Sequence, residues 1–180
     1  MKPKIVGIGG GTGAGKTTLA KRVKKVMGDS LCLISLDHYF YKNIKTRNRP
    51  DSINIDKFLN DLDTLYNKKG NINHRGHSYK SRSIILIEGH LTLAFPKLFD
   101  KLDLSIFIDQ DQEERVLRRL ERNMENNDDF NKIVSWYRDD VKENHWKFIE
   151  PTKKKADLII WGEINQRRVQ VLVDILKGLI

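Results

Sequence analysis

The chain of 180 residues is 39% hydrophobic and 32% charged, and 33 Lys and Arg against 24 Asp and Glu give it a formal net charge of +9. This length predicts one domain over residues 1–180, and no apolar run approaches the ~20 residues that cross a bilayer. An apolar strand pattern begins at once, so no signal peptide is expected. The one cysteine, Cys32, lies in an apolar run and is expected to be buried. A cytoplasmic protein that binds no membrane is the expectation.

The basic excess raises the question of nucleic-acid binding. The positive charge is dispersed, however, and its densest parts, residues 68–82 and 153–155, show no stacking pattern of aromatic residues. Solvated lysines explain a dispersed excess of this kind. Nucleic acid is therefore not expected as a partner.

The most specific motif is GGTGAGKT at residues 10–17, which fits the pattern G-x-x-x-x-G-K-[ST]. An apolar, mostly β-branched run at residues 5–8 precedes it and a helical pattern at residues 18–27 follows, which is the context that this motif requires. The glycines let successive N–H groups point at an anion, and the helix N-terminus adds positive charge. Lys16 is expected to reach the β- and γ-phosphates, and the Thr17 hydroxyl to bind Mg²⁺.

A second interpretation of these glycines is a dinucleotide site, because Gly9, Gly11 and Ala14 fit G-x-G-x-x-A. That interpretation does not explain Lys16 and Thr17, so nucleoside triphosphate binding is preferred. The residues expected to contact the nucleotide are Gly11, Thr12, Gly13, Ala14, Gly15, Lys16, Thr17 and Thr18.

Apolar runs and helical periodicity alternate along the rest of the chain. Further strands are predicted at residues 31–36, 84–87, 105–108 and 157–161. The first predicted helix covers residues 18–27, with Leu19, Val23 and Val26 on one face, and the second runs from a cap at Asn54 to a stop at Gly70. A third helix follows a capping box formed by Asp111 and Glu114. The last two helices are predicted at residues 130–148, where Trp136 and Trp146 are expected to pack, and at residues 165–178. The alternation predicts an α/β protein with a parallel sheet and right-handed crossovers.

Residues 71–83 are polar and show no periodicity, which indicates a hairpin or a mobile insertion. His74 and His77 lie three residues apart in this stretch. No Cys or acidic residue accompanies them, so a metal site is not expected there.

Two carboxylates follow predicted strands, Asp37 after residues 31–36 and Glu88 after residues 84–87. In open α/β sheets, ligands bind beyond the carboxyl ends of the strands, so both side chains are placed where chemistry occurs. Glu88 is a candidate for holding Mg²⁺ near the phosphate loop. Either residue could instead serve only a turn or a helix cap.

Four arginines, Arg115, Arg118, Arg119 and Arg122, share one face of a predicted helix. Such a stripe can clamp phosphoryl oxygens in a transition state. A solvated face with pairs such as Glu114 and Arg118 explains the same spacing.

Taken together, these motifs resemble the uridine kinase family, in the wider phosphoribulokinase and uridine kinase group of P-loop kinases. The similarity covers nearly the whole chain. Besides the phosphate loop and the arginine helix it rests on SLDHYFYK at residues 35–42, RPDS at 49–52, IEG at 87–89, FIEPTKK at 148–154 and ADLII at 156–160.

The resemblance implies a P-loop NTPase three-layer sandwich, with five parallel strands in the order 2-3-1-4-5 and helices on both faces. It implies a substrate-binding insertion at residues 42–83 and a lid at residues 115–135. The implied cofactors are ATP and Mg²⁺, and the implied reaction transfers the γ-phosphoryl group to a small-molecule alcohol, a nucleoside first. By resemblance, Asp37 is the general base, and Lys16, Arg118 and Arg119 also take part in catalysis. Arg115 and Arg122 are expected to help bind the nucleotide. The expected metal ligands are Thr17, Glu88 and Asp37.

The nucleoside half of the family pattern is altered in this chain. Asn48 stands where the family has the aspartate that holds the ribose hydroxyls, and Arg75 and Lys80 occupy the hairpin positions of a tyrosine and a histidine. The Arg-Gly-Arg of the family's lid is replaced by NNDD at residues 126–129. Substrate contacts are expected from Tyr39, Asn48, Arg49, Arg75 and Lys80. An anionic alcohol of the sugar phosphate, pantothenate or glycerate type, or a nucleotide-binding protein without catalysis, remain alternatives, and an oligomer is left open.

Overall fold

A five-stranded parallel sheet forms the centre of a computed structural model that describes residues 2–126 and 129–180. The strands along the chain are β1 (Lys4–Gly10), β2 (Leu31–Ser35), β3 (Ile72–His74), β4 (His77–Tyr79), β5 (Ile84–Glu88), β6 (Leu104–Asp109) and β7 (Leu158–Trp161). The sheet has the spatial order β2-β5-β1-β6-β7, while β3 and β4 pair as a separate antiparallel hairpin. Counted without the hairpin, this is the order 2-3-1-4-5, so the fold prediction is confirmed.

Helices surround this sheet. They are α1 (Lys16–Met27), α2 (Ile55–Tyr66), α3 (Pro96–Phe99), α4 (Gln112–Glu125), α5 (Phe130–Trp136), α6 (Lys142–Asn144) and α7 (Gln166–Gly178). Two π-helical segments, Tyr137–Val141 and His145–Ile149, flank α6. Short 3₁₀ turns occupy Gly28–Ser30, Leu36–Tyr39, Pro50–Ser52, Thr92–Ala94 and Glu150–Lys155. In the described ranges, no helix is both long enough and apolar enough to cross a bilayer.

The sheet is buried on both faces, which explains why β5 is an uninterrupted apolar run before Glu88. Because side chains alternate along a strand, Ile84 and Leu86 join the core formed with α1 and α7. Ile85 and Ile87 join the opposite core with α2 and α3. Burying each such side chain contributes about 1.5–3 kcal/mol, so these two cores hold the sheet between its helix layers.

Several predicted boundaries shift in the structure. Helix α1 begins at Lys16 rather than Thr18, and Val26 is exposed while Ala20 and Met27 complete the buried face with Leu19 and Val23. The predicted Asn54 cap is confirmed, because its side chain accepts from the N–H of Lys57. The predicted stop at Gly70 is wrong: α2 ends at Tyr66, and Lys68 takes a positive φ of 53°.

The capping box predicted at Asp111 and Glu114 is also wrong. Asp111 makes no side-chain cap bond to α4, and Glu114 accepts instead from Nε of Arg118 at 2.7 Å. The helix predicted for residues 130–148 is helical throughout, but two stretches within it change from α-helical to i→i+5 bonding. Trp146 is 54% exposed and so does not pack as predicted.

Candidate active site

The loop between β1 and α1 has a backbone that only glycine accommodates at two positions. Gly10 and Gly13 take φ values of 129° and 79°. A Cβ would lie 2.4 Å from the carbonyl oxygen of Ile108 at Gly10, and 2.5 Å from that of Arg115 at Gly13. The loop leads into α1 without a side-chain cap. Its first N–H groups are therefore available to an anion such as phosphate.

Lys16 lies buried at the start of α1. Its Nζ donates to the carbonyl oxygen of Gly11 at 2.7 Å. Burial lowers the pKa of Lys16 to about 8, although the negative charges of Glu88 and Asp37 oppose that shift. The ammonium group is still mostly protonated at pH 7, so a positive charge stands beside the phosphate loop.

Three oxygen-bearing side chains meet at the carboxyl edge of the sheet. The Thr17 hydroxyl donates to Oε2 of Glu88 at 2.9 Å, and Glu88 pairs in register with the last residue of β2. Asp37 follows that strand and keeps 52% of its side chain exposed. Hydroxyl and carboxylate oxygens suit Mg²⁺, which keeps several of its waters and needs few protein ligands. In the described ranges, no cluster of three or more His, Cys, Asp or Glu suggests another metal site.

The carboxylate of Asp37 is held in its ionised form. Partial desolvation raises its pKa, but the imidazole of His90 and the ammonium of Lys16 more than offset this, so the pKa lies below its usual value. Nδ1 of His90 is 3.7 Å from Oδ1 of Asp37, and Nε2 of His90 is 2.9 Å from the carbonyl oxygen of Arg47. His90 was not predicted from the sequence. Its position two residues after Glu88 was the available signal.

These groups open onto one cavity of about 590 Å³. The predicted residues that line it are Thr12, Gly13, Gly15, Lys16, Thr17, Thr18, Asp37, Asn48, Glu88, Arg118, Arg119 and Arg122. Further lining that the sequence did not reveal comes from Phe40, Ile44, Lys45, Thr46, Arg47, His90 and Trp136. Trp136 therefore faces the cavity, and the guanidinium of Arg119 lies 4.7 Å from its ring centroid. The phosphate loop, the strand-end carboxylates and three arginines of α4 thus share one space.

Three predicted nucleotide residues lie behind the cavity wall rather than in it. Gly11 contributes its carbonyl to Lys16, and Ala14 is fully buried in the core. Arg115 is buried against the phosphate loop, with Nε donating to the carbonyl of Gln110 at 3.1 Å. The side chain of Arg115 packs directly against the loop, because a Cβ on Gly11 would lie 2.2 Å from Nη1 of Arg115. We infer that Arg115 supports the conformation of the loop.

Four predicted substrate residues are likewise outside the cavity lining that the described residues form. Tyr39 is only 2% exposed, and its hydroxyl donates to Asp61 at 3.0 Å. Arg49 pairs with Asp51 at 3.2 Å. Lys80 is exposed beyond the hairpin.

Arg75 is held by the turn that closes the hairpin. Arg75 and Gly76 both take positive φ, as a two-residue hairpin turn requires. Nη1 of Arg75 donates to the carbonyl oxygen of His38 at 3.0 Å, and the ring of His74 stacks on Tyr39 with centroids 4.2 Å apart. The hairpin is thereby docked on the turn after β2. The predicted lid change at residues 126–129 lies partly outside the described residues, which omit 127 and 128.

The sheet order, the glycine loop at the start of α1 and the acidic and basic groups in the cavity define a P-loop phosphotransferase. The chain belongs to the Phosphoribulokinase / Uridine kinase family, which its sequence matches over residues 39–168. A shorter match, to Zeta toxin, covers residues 1–49 and includes the phosphate loop. Family membership makes this chain an ATP-dependent phosphotransferase that acts on a hydroxyl group.

Similar proteins cover the chain almost completely. A uridine kinase of Chlamydia pneumoniae is 36% identical over 94% of this chain and 86% of its own length. A uridine kinase of Ligilactobacillus salivarius is 31% identical over 96% and 92% of the two chains. A possible uridine kinase from Bacillus stearothermophilus shares the fold, with a TM-score of 0.55, 18% identity and 89% coverage of each chain. A putative fructose transport system kinase from Silicibacter sp. TM1040 does so with a TM-score of 0.67, 15% identity and 88% and 90% coverage.

Proposed function

We propose that this protein is a ribonucleoside kinase of the uridine kinase type, which transfers the γ-phosphoryl group of ATP to a nucleoside hydroxyl with the help of Mg²⁺. The relatives named uridine kinase support the nucleoside class. The observation that carries the proposal is that Asp37, with its pKa lowered, opens onto the same cavity as Lys16 and the phosphate loop.

The roles proposed for the protein groups follow from the loose transition state of phosphoryl transfer, which needs positioning and charge stabilisation more than covalent chemistry. Asp37, ionised at neutral pH, accepts the proton of the attacking hydroxyl. Lys16 and the N–H groups of the loop bind the phosphates. Arg118 and Arg119 stabilise charge on the transferring group, and Arg122 binds nucleotide phosphate from the same face of α4.

Mg²⁺ forms part of the same proposal. Thr17 and Glu88 would hold it, and Asp37, which lines the same cavity, would add a contact through water. When bound, the ion supplies positive charge to the oxygens of the β- and γ-phosphates.

The cavity lining offers groups that suit a nucleoside as the acceptor. Arg75 and Lys80, which suggested an anionic acceptor from the sequence, do not line the cavity among the described residues, and Arg49 is paired. The acceptor side offers the amide of Asn48 and the apolar surfaces of Phe40, Ile44 and Trp136, and the cationic side chains of Lys45 and Arg47 also line it. We infer that the ring of Trp136 packs on the nucleobase, because aromatic faces stack on any base.

The organisation proposed for the chain keeps the sequence-based expectations. A single kinase domain over residues 1–180 would carry a substrate-binding insertion at 42–83 and a lid at 115–135. A cytoplasmic location belongs to the same proposal and is supported by the single buried Cys32, which has no partner for an intramolecular disulfide.

Asp37→Asn separates this function from a nucleotide-binding protein without catalysis. The variant keeps the shape but cannot accept a proton, so kcat with uridine should fall ~10²–10⁴-fold while the Kd for ATP changes by less than a few-fold. Asp51→Asn, which alters an exposed carboxylate outside the cavity lining, is the matched control and should behave like the wild type. If Asp37→Asn loses ATP binding instead, Asp37 is mainly a metal ligand. If its turnover is unchanged, the proposed general base is wrong.

A further inference from the structure

Asp140 lies in the π-helical segment Tyr137–Val141 and accepts hydrogen bonds from three neutral side chains. The Thr46 hydroxyl is 2.8 and 2.7 Å from its two carboxylate oxygens. Nδ2 of Asn48 is 2.7 Å from Oδ2, and Nδ2 of Asn144 is 2.7 Å from Oδ1. In residues 2–126 and 129–180, no Lys, Arg or His side chain forms an ion pair with Asp140. A half-buried carboxylate thus stands directly behind the cavity wall.

This contact fixes the orientation of the Asn48 amide. A carboxylate only accepts, so the group that Asn48 turns toward Asp140 is the NH₂. The backbone N–H of Asn48 donates to the Thr46 hydroxyl at 2.9 Å, which anchors the residue a second time. Asn48 lines the cavity, and its Oδ1 makes no hydrogen bond within the described residues. Oδ1 of Asn48 is therefore available as an acceptor for a ligand, while one of the two N–H donors of Nδ2 is bound to Asp140.

We propose that Asp140 is a positioning residue that sets substrate specificity: it holds Asn48 so that Oδ1 accepts a hydrogen bond from the ribose diol of the nucleoside. This inference rests on the proposed function. The family pattern has a carboxylate where this chain has Asn48. In this chain the carboxylate is that of Asp140, which lies behind Asn48 rather than in the cavity lining. A carboxylate bonded to the NH₂ polarises the amide and strengthens its carbonyl as an acceptor.

A site of this kind discriminates strongly by hydroxyl groups. A pocket built to bond a hydroxyl rejects an analogue that lacks it, because a buried polar group is then left unpaired. The wild type should consequently prefer uridine to 2′-deoxyuridine and 3′-deoxyuridine. The preference should depend on Asp140, although this residue does not line the cavity.

The test compares kcat/KM for uridine and the two deoxyuridines in Asp140→Asn. The new amide can donate as well as accept, so Asn48 is free to turn over. We expect kcat/KM for uridine to fall ~10–100-fold. One of the two deoxyuridines lacks the hydroxyl that Asn48 binds, and kcat/KM for that analogue should change little. The ratio of kcat/KM for uridine to kcat/KM for that analogue should therefore approach one. The KM for ATP should stay within a few-fold. Asp139→Asn, in the same segment but exposed, is the matched control and should keep the wild-type preference.

The double variant Asn48→Asp with Asp140→Asn supplies a rescue. It returns the carboxylate to the cavity wall and keeps one NH₂ donor between the pair, so the preference for uridine should recover. Asn48→Asp alone opposes two carboxylates and should be worse than the wild type. If Asp140→Asn keeps the wild-type preference for uridine, or loses kcat/KM equally with all three substrates, the inference is wrong. Turnover of uridine by the wild type would still support the proposed function in that case. A wild type that phosphorylates no ribonucleoside refutes both.

Discussion

Nδ1 of His90 faces Oδ1 of Asp37 at 3.7 Å, while Nε2 of the same ring lies 2.9 Å from the carbonyl oxygen of Arg47. A carbonyl only accepts, so Nε2 carries a proton. The ring thus lies between a carbonyl oxygen and the carboxylate that we propose as general base, and its interaction with that carboxylate lowers the pKa of Asp37. His90 therefore favours the ionised form of Asp37.

The first prediction concerns the acid side of the pH–rate profile. The pKa of Asp37 is lowered in the folded protein, so the rate should stay high as the pH falls until that lowered pKa is reached. In His90→Gln, desolvation is no longer offset by the imidazole. The acid limb of kcat should then move to higher pH. His77→Gln, on the exposed hairpin, is the control, and an acid limb at the same pH in both variants would show that His90 does not act on Asp37.

The second prediction separates the activity of Lys16 from its effect on stability. Burial holds the pKa of Lys16 near 8, below 10.5, so the folded state binds this proton less well than the unfolded state. The buried charge thus costs on the order of 3 kcal/mol below pH 8, and the free energy of unfolding should rise between pH 8 and 10.5. Lys16→Met should reduce turnover by orders of magnitude without lowering Tm at pH 7.

Chemical denaturation across this pH range checks the second prediction. The rise in the free energy of unfolding above pH 8 should be present in the wild type and weaker in Lys16→Met. Lys21→Met, on the exposed side of α1, is the matched control. Full turnover in Lys16→Met would contradict the role of the phosphate loop.

The third prediction tests the base-binding role of Trp136. Stacking of a base on an aromatic ring contributes about 1–3 kcal/mol, so Trp136→Ala should raise the KM for uridine by ~10-fold or more. The KM for ATP should change little. Trp146→Ala removes a tryptophan that is exposed and outside the cavity lining, and it should have no effect. Equal KM values for uridine in the two variants would exclude Trp136 as the platform for the base.

The fourth prediction concerns Tyr39, which the sequence placed among the substrate contacts. Its hydroxyl donates to buried Asp61, which Lys57 also contacts at 2.6 Å. Tyr39→Phe should leave the KM for uridine unchanged. It should lower the free energy of unfolding by about 1–3 kcal/mol, because Asp61 loses one buried donor. A large rise in the KM for uridine, with an unchanged free energy of unfolding, would indicate that Tyr39 contacts the substrate.

The parts of the site that could be predicted from sequence are those set by consecutive residues. The glycine loop, Lys16 and Thr17 form one contiguous motif, and the strand ends place Asp37 and Glu88 at the carboxyl edge of the sheet. Each depends only on a local pattern and on the geometry of a parallel sheet.

The acceptor side depends on packing between distant segments, which periodicity does not encode. Thr46 and Asn48 meet Asp140 across more than 90 residues. Asp140 lies in the π-helical segment Tyr137–Val141, and the spacing of apolar residues does not reveal that this stretch changes from α-helical bonding. For the hairpin, the sequence predicted a substrate contact that the structure does not show. Arg75 donates to the carbonyl oxygen of His38 and does not line the cavity among the described residues.

The most direct test of the central claim is to identify the product formed from uridine, ATP and Mg²⁺ by mass spectrometry. We predict uridine 5′-monophosphate and ADP in equal amounts, no product when Mg²⁺ is chelated, and a loss of ~10²–10⁴-fold in rate with Asp37→Asn. The same assay is run with cytidine, pantothenate, glycerate and ribulose 5-phosphate. ADP released without a phosphorylated nucleoside, or phosphorylation of an anionic alcohol alone, would contradict the assignment of this cavity to a nucleoside.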